Sequence, residues 1–201
     1  GYPRYHLIFT AKKYLSALKN EDWEKAYGFL TQNSKAIISL EDYARSLRDY
    51  YSKVGKWDFK DLEVYRLTKN EGIIKYRLIE GGVEKEDYLS FLKEYGEWKR
   101  PFTYTLFDQI EDALSKRDMS KALYIAQKLY LIDPMDPRSS GYLCWCEYFM
   151  YLFDKSAESC KRVVELSHTY PIKYYGDEDL FWFTFNYADS LKYIGKYKEA
   201  V

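Results

Sequence analysis

The chain is poor in the side chains that carry most protein chemistry. It holds two histidines, three cysteines and three methionines in 201 residues, so an imidazole-based centre would have to be built from His6 and His168 alone. It contains no P-loop, no G-x-S-x-G, no H-E-x-x-H and no paired C-x-x-C, and so lacks the common signatures of phosphate cradles, nucleophile elbows and zinc sites. No apolar run approaches the roughly 20 residues needed to span a bilayer. The first residues do not show the charged, apolar, small-residue succession of a signal peptide. The 31 basic and 31 acidic residues cancel and are interspersed, which leaves no basic footprint for nucleic acid. Cysteine is scarce and odd in number. Cys144 and Cys146 lie two apart in an apolar helical stretch, where i and i+2 point to different sides. Together with Cys160 they are expected to be buried structural thiols in a reduced compartment.

What the chain does have is apolar and aromatic mass: 47% hydrophobic and 19% aromatic residues, 23 of them tyrosine. That is enough to bury a core in each of two small domains. From Tyr5, the residues Leu7, Ile8, Ala11, Tyr14, Leu15 and Leu18 form the stripe of an amphipathic helix. Trp23, Ala26, Tyr27 and Leu30 make a second. Ser39-x-x-Asp42 resembles a capping box before a third helix with Leu40, Tyr43, Ala44, Leu47, Tyr50 or Tyr51, and Val54 on its face, and Gly55 ends it. The period then becomes two. Trp57 to Leu67 reads as a strand with a phase slip at Lys60-Asp61 that suits a bulge. Ile74 to Leu78, Tyr88 to Leu92 and Trp98 to Arg100 follow, joined by turns at Asn70-Glu71-Gly72, Gly81-Gly82 and Tyr95-Gly96. Pro101 and Phe102 close this part, since proline cannot continue a ladder.

With three helices ahead of a four-stranded antiparallel sheet, residues 1–102 resemble the nuclear transport factor 2-like, or cystatin-like, α+β cone. The stretches that carry the resemblance are Ala11-x-x-Tyr14-Leu15-x-Ala17-Leu18, Ala26-Tyr27-x-Phe29-Leu30 and Tyr95-Gly96-Glu97-Trp98-Lys99. The resemblance implies a packing, dimerising or ligand-sensing module, and relatives of the cone include isomerases and hydrolases with Asp, His or Tyr in an apolar pocket. Glu63, Asp87 and Glu94, with Tyr27, Tyr43, Tyr76 and Tyr88, are the residues that such a pocket would draw on. None forms a convergent pair in sequence, and solvated carboxylates with packed tyrosines are the simpler reading.

Helical periodicity returns after residue 102, punctuated by a phrase that occurs three times. Met119-Ser120-Lys121-Ala122-Leu123, Asp154-Lys155-Ser156-Ala157-Glu158 and Tyr197-Lys198-Glu199-Ala200-Val201 each place an alanine at the expected start of a helix. The alanines are 35 and 43 residues apart. The first interval matches the period of about 34 of the tetratricopeptide repeat, and the second accommodates an aromatic insertion over residues 169–176. Leu131-Ile132-Asp133-Pro134 and Tyr193-Ile194-Gly195-Lys196-Tyr197-Lys198-Glu199-Ala200 resemble that family's repeat ending and its inter-helix turn. Ile110 and Trp145 stand where the pattern prefers a small residue, and Ala126 and Lys161 where it prefers an aromatic. Residues 103–201 are accordingly expected to form an all-α, helical-hairpin repeat domain whose third repeat is cut at Val201. Gly1 and the interrupted third phrase suggest a piece of a longer protein.

The resemblance implies a groove lined by the first helix of each repeat. Carried over by spacing, its lining is Tyr104, Phe107, Glu111 and Leu114, then Tyr142, Cys146, Phe149 and Met150, then Trp182, Phe185, Asp189 and Tyr193. Two readings stay open for these aromatics: anchors for a peptide, or core covered by the insertion or by neighbouring segments. The lysine, asparagine and arginine of the family's carboxylate clamp are missing, which argues against acidic C-terminal ligands. The expected function is non-enzymatic protein–protein interaction or scaffolding, with a protein or peptide partner and a possible homodimer, and with no nucleic acid, cofactor, metal or catalytic residue. A small-molecule or isomerase-like pocket in the cone is the alternative. Cytoplasm and cell envelope both remain open as the location.

Overall fold

The computed structural model describes residues 2–200. The chain divides into two compact units, Gly1–Phe102 and Thr103–Val201. The first is mixed α+β, with helices followed by a four-stranded antiparallel sheet; the second is helical.

In the first unit four helices precede the sheet: α1 (Tyr2–Lys19), α2 (Trp23–Gly28), α3 (Gln32–Lys35) and α4 (Leu40–Val54). The sequence predicts three, and the addition is α3, a single turn too short to show a period. Each of the last three starts on a side-chain cap, with Asp22, Thr31 and Ser39 accepting from the backbone N–H of Lys25, Ser34 and Asp42. At Ser39 the expected box closes differently: the serine hydroxyl donates to the Asp42 carboxylate at 2.8 Å. Leu40, expected on the apolar face of α4, is exposed, while Tyr43 and Ala44 carry that face inward.

The strands β1 (Trp57–Leu67), β2 (Glu71–Glu80), β3 (Val83–Glu94) and β4 (Glu97–Lys99) form a meander in chain order. Register shifts between Lys60 and Glu63 and between Val64 and Arg66 interrupt β1. Asp61 sits at the first with a φ of 54°, so the phase slip in the sequence is a bulge. The inner face of the sheet sets Ile74, Tyr76, Leu78, Leu89 and Phe91 against Leu7, Ala11, Tyr14, Leu15 and Leu18 of α1. Gly72 permits the closest approach, because a Cβ there would lie 2.5 Å from a methyl carbon of Leu7. The outer face is polar: Lys75 bridges Glu63 on β1 and Glu86 on β3, and Arg77 lies between Asp61 and Glu84. Such exposed pairs contribute little to stability, but they make this face of the sheet a charged one.

The second unit comprises α5 (Tyr104–Ser115), α6 (Met119–Ile132), α7 (Pro137–Phe149), α8 (Phe153–Thr169) and α9 (Asp177–Tyr193). Each helix packs on its neighbour in sequence, and α7 also meets α9. The alanines of the first two phrases sit where helices cross, Ala122 fully buried and Ala157 nearly so. The described residues after Tyr193 run through turns as far as Ala200, and the helix expected to open at the third phrase lies outside the described residues. Asp118 caps α6 by accepting from the Lys121 N–H, and Asp136 caps α7 ahead of Pro137, where a missing N–H costs nothing.

The cysteines require a correction. Cys144 on α7 and Cys160 on α8 are joined in a disulfide, while Cys146 is the buried free thiol. The i, i+2 argument against pairing Cys144 with Cys146 holds, but the partner lies one helix away, and spacing alone could not reveal it. A crosslink closing a loop of this length stabilises by about 3 kcal/mol. Reduction, or a Cys160→Ser substitution, is therefore expected to lower the unfolding free energy of the helical unit by roughly 2–4 kcal/mol, read from denaturant melts with and without reductant. Coincident curves would show that the bond carries no stability.

Candidate functional site

The outward residues of α5, α7 and α9 form the candidate site. Helix α7 buries Leu143, Cys144, Cys146 and Glu147 and leaves Arg138, Tyr142, Trp145 and Phe149 on one stripe at i, i+4, i+7 and i+11. Helix α9 buries Phe183, Asn186, Ser190 and Leu191; Phe181, Trp182, Phe185 and Tyr193 are exposed. Helix α5 presents Tyr104 and Glu111, with Phe107 half-buried beside them. The large rings are well exposed: Trp145 42%, Phe149 51%, Trp182 46% and Phe185 46%. They pair locally, Trp145 with Phe149 at 5.3 Å and Trp182 with Phe185 at 5.8 Å between centroids.

Polar bonds hold the three helices beneath these rings. Two tyrosines of α7 reach in opposite directions, Tyr142 donating to the Glu111 carboxylate on α5 and Tyr148 to Asp189 on α9. Burial, with the carboxylate beside it, pushes the Tyr148 hydroxyl up to about 12, and the same causes raise Tyr142, so both remain donors at any physiological pH. Arg138 is held bidentately by Asp136 and lies between the rings of Phe107 and Tyr174, 4.2 and 4.0 Å from their centroids. The Glu111 and Asp189 carboxylates and the Arg138 guanidinium are thus engaged within the protein, and the face they support is mainly apolar.

Of the residues that the sequence places in the groove, Tyr104, Phe107, Glu111, Tyr142, Phe149, Trp182, Phe185, Asp189 and Tyr193 lie on these three helices exposed or half-buried. Cys146 is a correction. It is fully buried, burial pushes its thiol up to about 12, and it offers nothing to a ligand. Met150 is half-buried just beyond the end of α7. Trp145, which stands where the repeat pattern prefers a small residue, and Phe181 are exposed aromatics outside the groove that the spacing gives. The available signal was Gly141. A Cβ there would come within 2.2 Å of the Tyr175 hydroxyl and 3.2 Å of Phe183, so the tight crossing that the repeat pattern assigns to position 145 occurs one turn earlier and frees Trp145.

The first unit offers less to chemistry. Its interior is filled by Tyr14, Tyr43, Phe91 and Trp98. Glu63 pairs with Lys75, Glu94 accepts from the Gln32 N–H, and Asp87 accepts from the Tyr76 hydroxyl at 2.6 Å; the three do not converge on one point. Tyr27 donates to the Ile38 carbonyl, Tyr43 bonds Tyr14, and Tyr88 donates to Glu86. An open cleft of about 760 Å³ lies outside that core, bordered by Lys19, Glu21, Tyr51, Lys56, Trp57 and Asp58.

No protein-family model matches the chain, and no curated protein resembles it with statistical significance. No helix among the described residues is long and apolar enough to cross a membrane.

One buried carboxylate beneath the site makes it sensitive to pH. Glu147 on α7 is 5% exposed and accepts from the Ser159 hydroxyl at 2.7 Å. Burial raises its pKa, against smaller opposing effects of Ser159 and Lys155. An acid whose pKa is raised in the folded state binds more protons there than in the unfolded chain. Its favourable contribution is present below the unfolded carboxylate value of about 4.3 and is lost as pH rises through the higher folded value. Glu147→Gln is expected to gain stability over the parent at pH 7, with the difference shrinking toward pH 4; a variant uniformly less stable across that range would contradict it.

Proposed function

We propose that the protein recognises a partner polypeptide through the aromatic face of α5, α7 and α9, and that residues 103–201 are a divergent tetratricopeptide-repeat domain performing that task. The single observation that carries the reading is the coexistence of four large exposed rings, Trp145, Phe149, Trp182 and Phe185, with the internal bonding of the carboxylates beneath them. Indole and phenyl rings bring large contact area with two side-chain torsions each, which keeps the entropy cost of binding low. Because Glu111, Asp189 and Arg138 are already engaged, the face favours an apolar peptide segment over an acidic or basic one. The mixed α+β unit, read as a nuclear transport factor 2-like cone, then serves as a companion module for packing or dimerisation rather than as an enzyme.

A second reading places a small-molecule site in the first unit. The observation in its favour is the cleft beside Trp57, where Tyr51 stacks between Trp23 and Trp57.

Affinity capture with the protein, beside a Phe149→Ala, Phe185→Ala double variant, distinguishes the two. Both side chains are exposed, so the variant is expected to keep its circular dichroism while losing at least tenfold in retained partner. Unchanged capture by a folded variant would remove recognition from this face.

A further inference from the structure

Helix α1 has one face that the fold does not use. Leu7, Ala11, Tyr14, Leu15 and Leu18 point into the core, and these contacts fix the helix against the sheet. On the opposite face Tyr2, Tyr5 and Phe9 are 81%, 68% and 42% exposed. Lys12 and Lys13 follow on the same stripe, both exposed. The rings form a ladder along the helix, Tyr5 stacking on Phe9 and Tyr2 on His6, each pair 6.2 Å apart, and the Lys13 ammonium lies 4.2 Å from the centre of the Phe9 ring.

Charge is distributed unevenly here. In a chain whose charges cancel, α1 carries Arg4, Lys12, Lys13 and Lys19 and no acidic residue. Lys19 is committed to Asp58 at 2.7 Å, and Arg4 reaches the Val64 carbonyl. Lys12 and Lys13 point to solvent. Glu97 is paired with Lys99 at 2.8 Å.

Exposed tyrosine and phenylalanine beside unneutralised lysine, on a helix whose other face is anchored, is the arrangement by which a protein rests at the headgroup level of a bilayer. We propose that the outward face of α1 docks on an anionic membrane surface, Tyr2, Tyr5 and Phe9 entering the interface and Lys12 and Lys13 meeting lipid phosphates. The helix docks as it stands, without unfolding or spanning. Single-stranded nucleic acid, the other polyanion with which rings and cations associate, is bound in grooves that track its backbone; the rings of α1 stand on a convex helix with the free lysines grouped beyond them.

Co-sedimentation with vesicles tests this. The full chain is expected to pellet with vesicles containing roughly one-third phosphatidylglycerol in low salt and to remain in the supernatant with pure phosphatidylcholine. Salt of about 0.5 M, which shortens the screening length several-fold, is expected to release it. Each lysine near such a surface is worth roughly fivefold in affinity, so Lys12→Glu, Lys13→Glu should weaken binding by about 25-fold or more. Tyr5→Ser, Phe9→Ser should weaken it in a way that salt does not reproduce. All four positions are exposed, and circular dichroism checks that the variants fold. Absence of binding to the anionic vesicles, or binding that both folded variants retain, would overturn the proposal. So would a single-stranded oligonucleotide bound through Lys12 and Lys13 by a protein that ignores the vesicles. The outcome is independent of recognition by α5, α7 and α9, since Phe149→Ala, Phe185→Ala should bind vesicles as the parent does.

Discussion

The helical unit depends on how closely other segments approach α7 at Gly141. Tyr175 from the segment between α8 and α9, and Phe183 from α9, occupy the space that any side chain at this position would fill. Phe183 also packs in the cluster around the Cys144–Cys160 disulfide. Once α7 is seated in this way its rotation is determined. Glu147 and Cys146 are directed inward, Trp145 and Phe149 outward, and Tyr142 and Tyr148 toward the two flanking helices. Apolar rings exposed on a loosely held helix would tend to collapse onto one another; here hydrogen bonds to Glu111 and Asp189 hold the helices that display them.

Much of the fold can be read from residue patterning. The change from helical to alternating periodicity at Gly55, the glycine-bearing turns and the phase slip at Asp61 all reflect local backbone requirements, and local requirements leave a direct mark in sequence. Features that arise from tertiary packing are harder to read. Helix α3 is one turn long, and beside its Thr31 cap its first N–H is held by the Glu94 carboxylate on a distant strand. Helix α7 buries Ser139, Ser140 and Glu147 while exposing Trp145 and Phe149, so apolar periodicity cannot choose its outward face. The repeat spacing placed Tyr142 and Phe149 on this face but assigned the tight crossing to position 145 rather than to Gly141, and so named Cys146 in place of Trp145. The disulfide escaped for a similar reason, because its partners stand on successive helices at a separation of 16 residues that matches no sequence signature.

The two units share an economy in their polar groups. In the first, Lys75 and Arg77 each sit between carboxylates of flanking strands. In the second, Tyr142 and Tyr148 engage Glu111 of α5 and Asp189 of α9, and Arg138 engages Asp136. Charge is thereby neutralised locally, on the outer face of the sheet and beneath the rings of the helical unit; the aromatic face of α5, α7 and α9 and the basic face of α1 lie outside these pairs. Glu63, Asp87 and Glu94 are each drawn into a separate structural bond. The helical unit exposes apolar aromatic area at Trp145, Phe149, Trp182 and Phe185.

The central claim is that a partner lies across α7 and α9. Photo-crosslinking tests it most directly, with a benzoylphenylalanine placed in turn at Phe149, at Phe185 and, as a control, at the exposed Tyr50 of α4. The account predicts that Phe149 and Phe185 yield adducts to the same partner polypeptide, through an apolar segment, and that Tyr50 yields none. Adducts at Tyr50 alone, or different partners at Phe149 and Phe185, would contradict it.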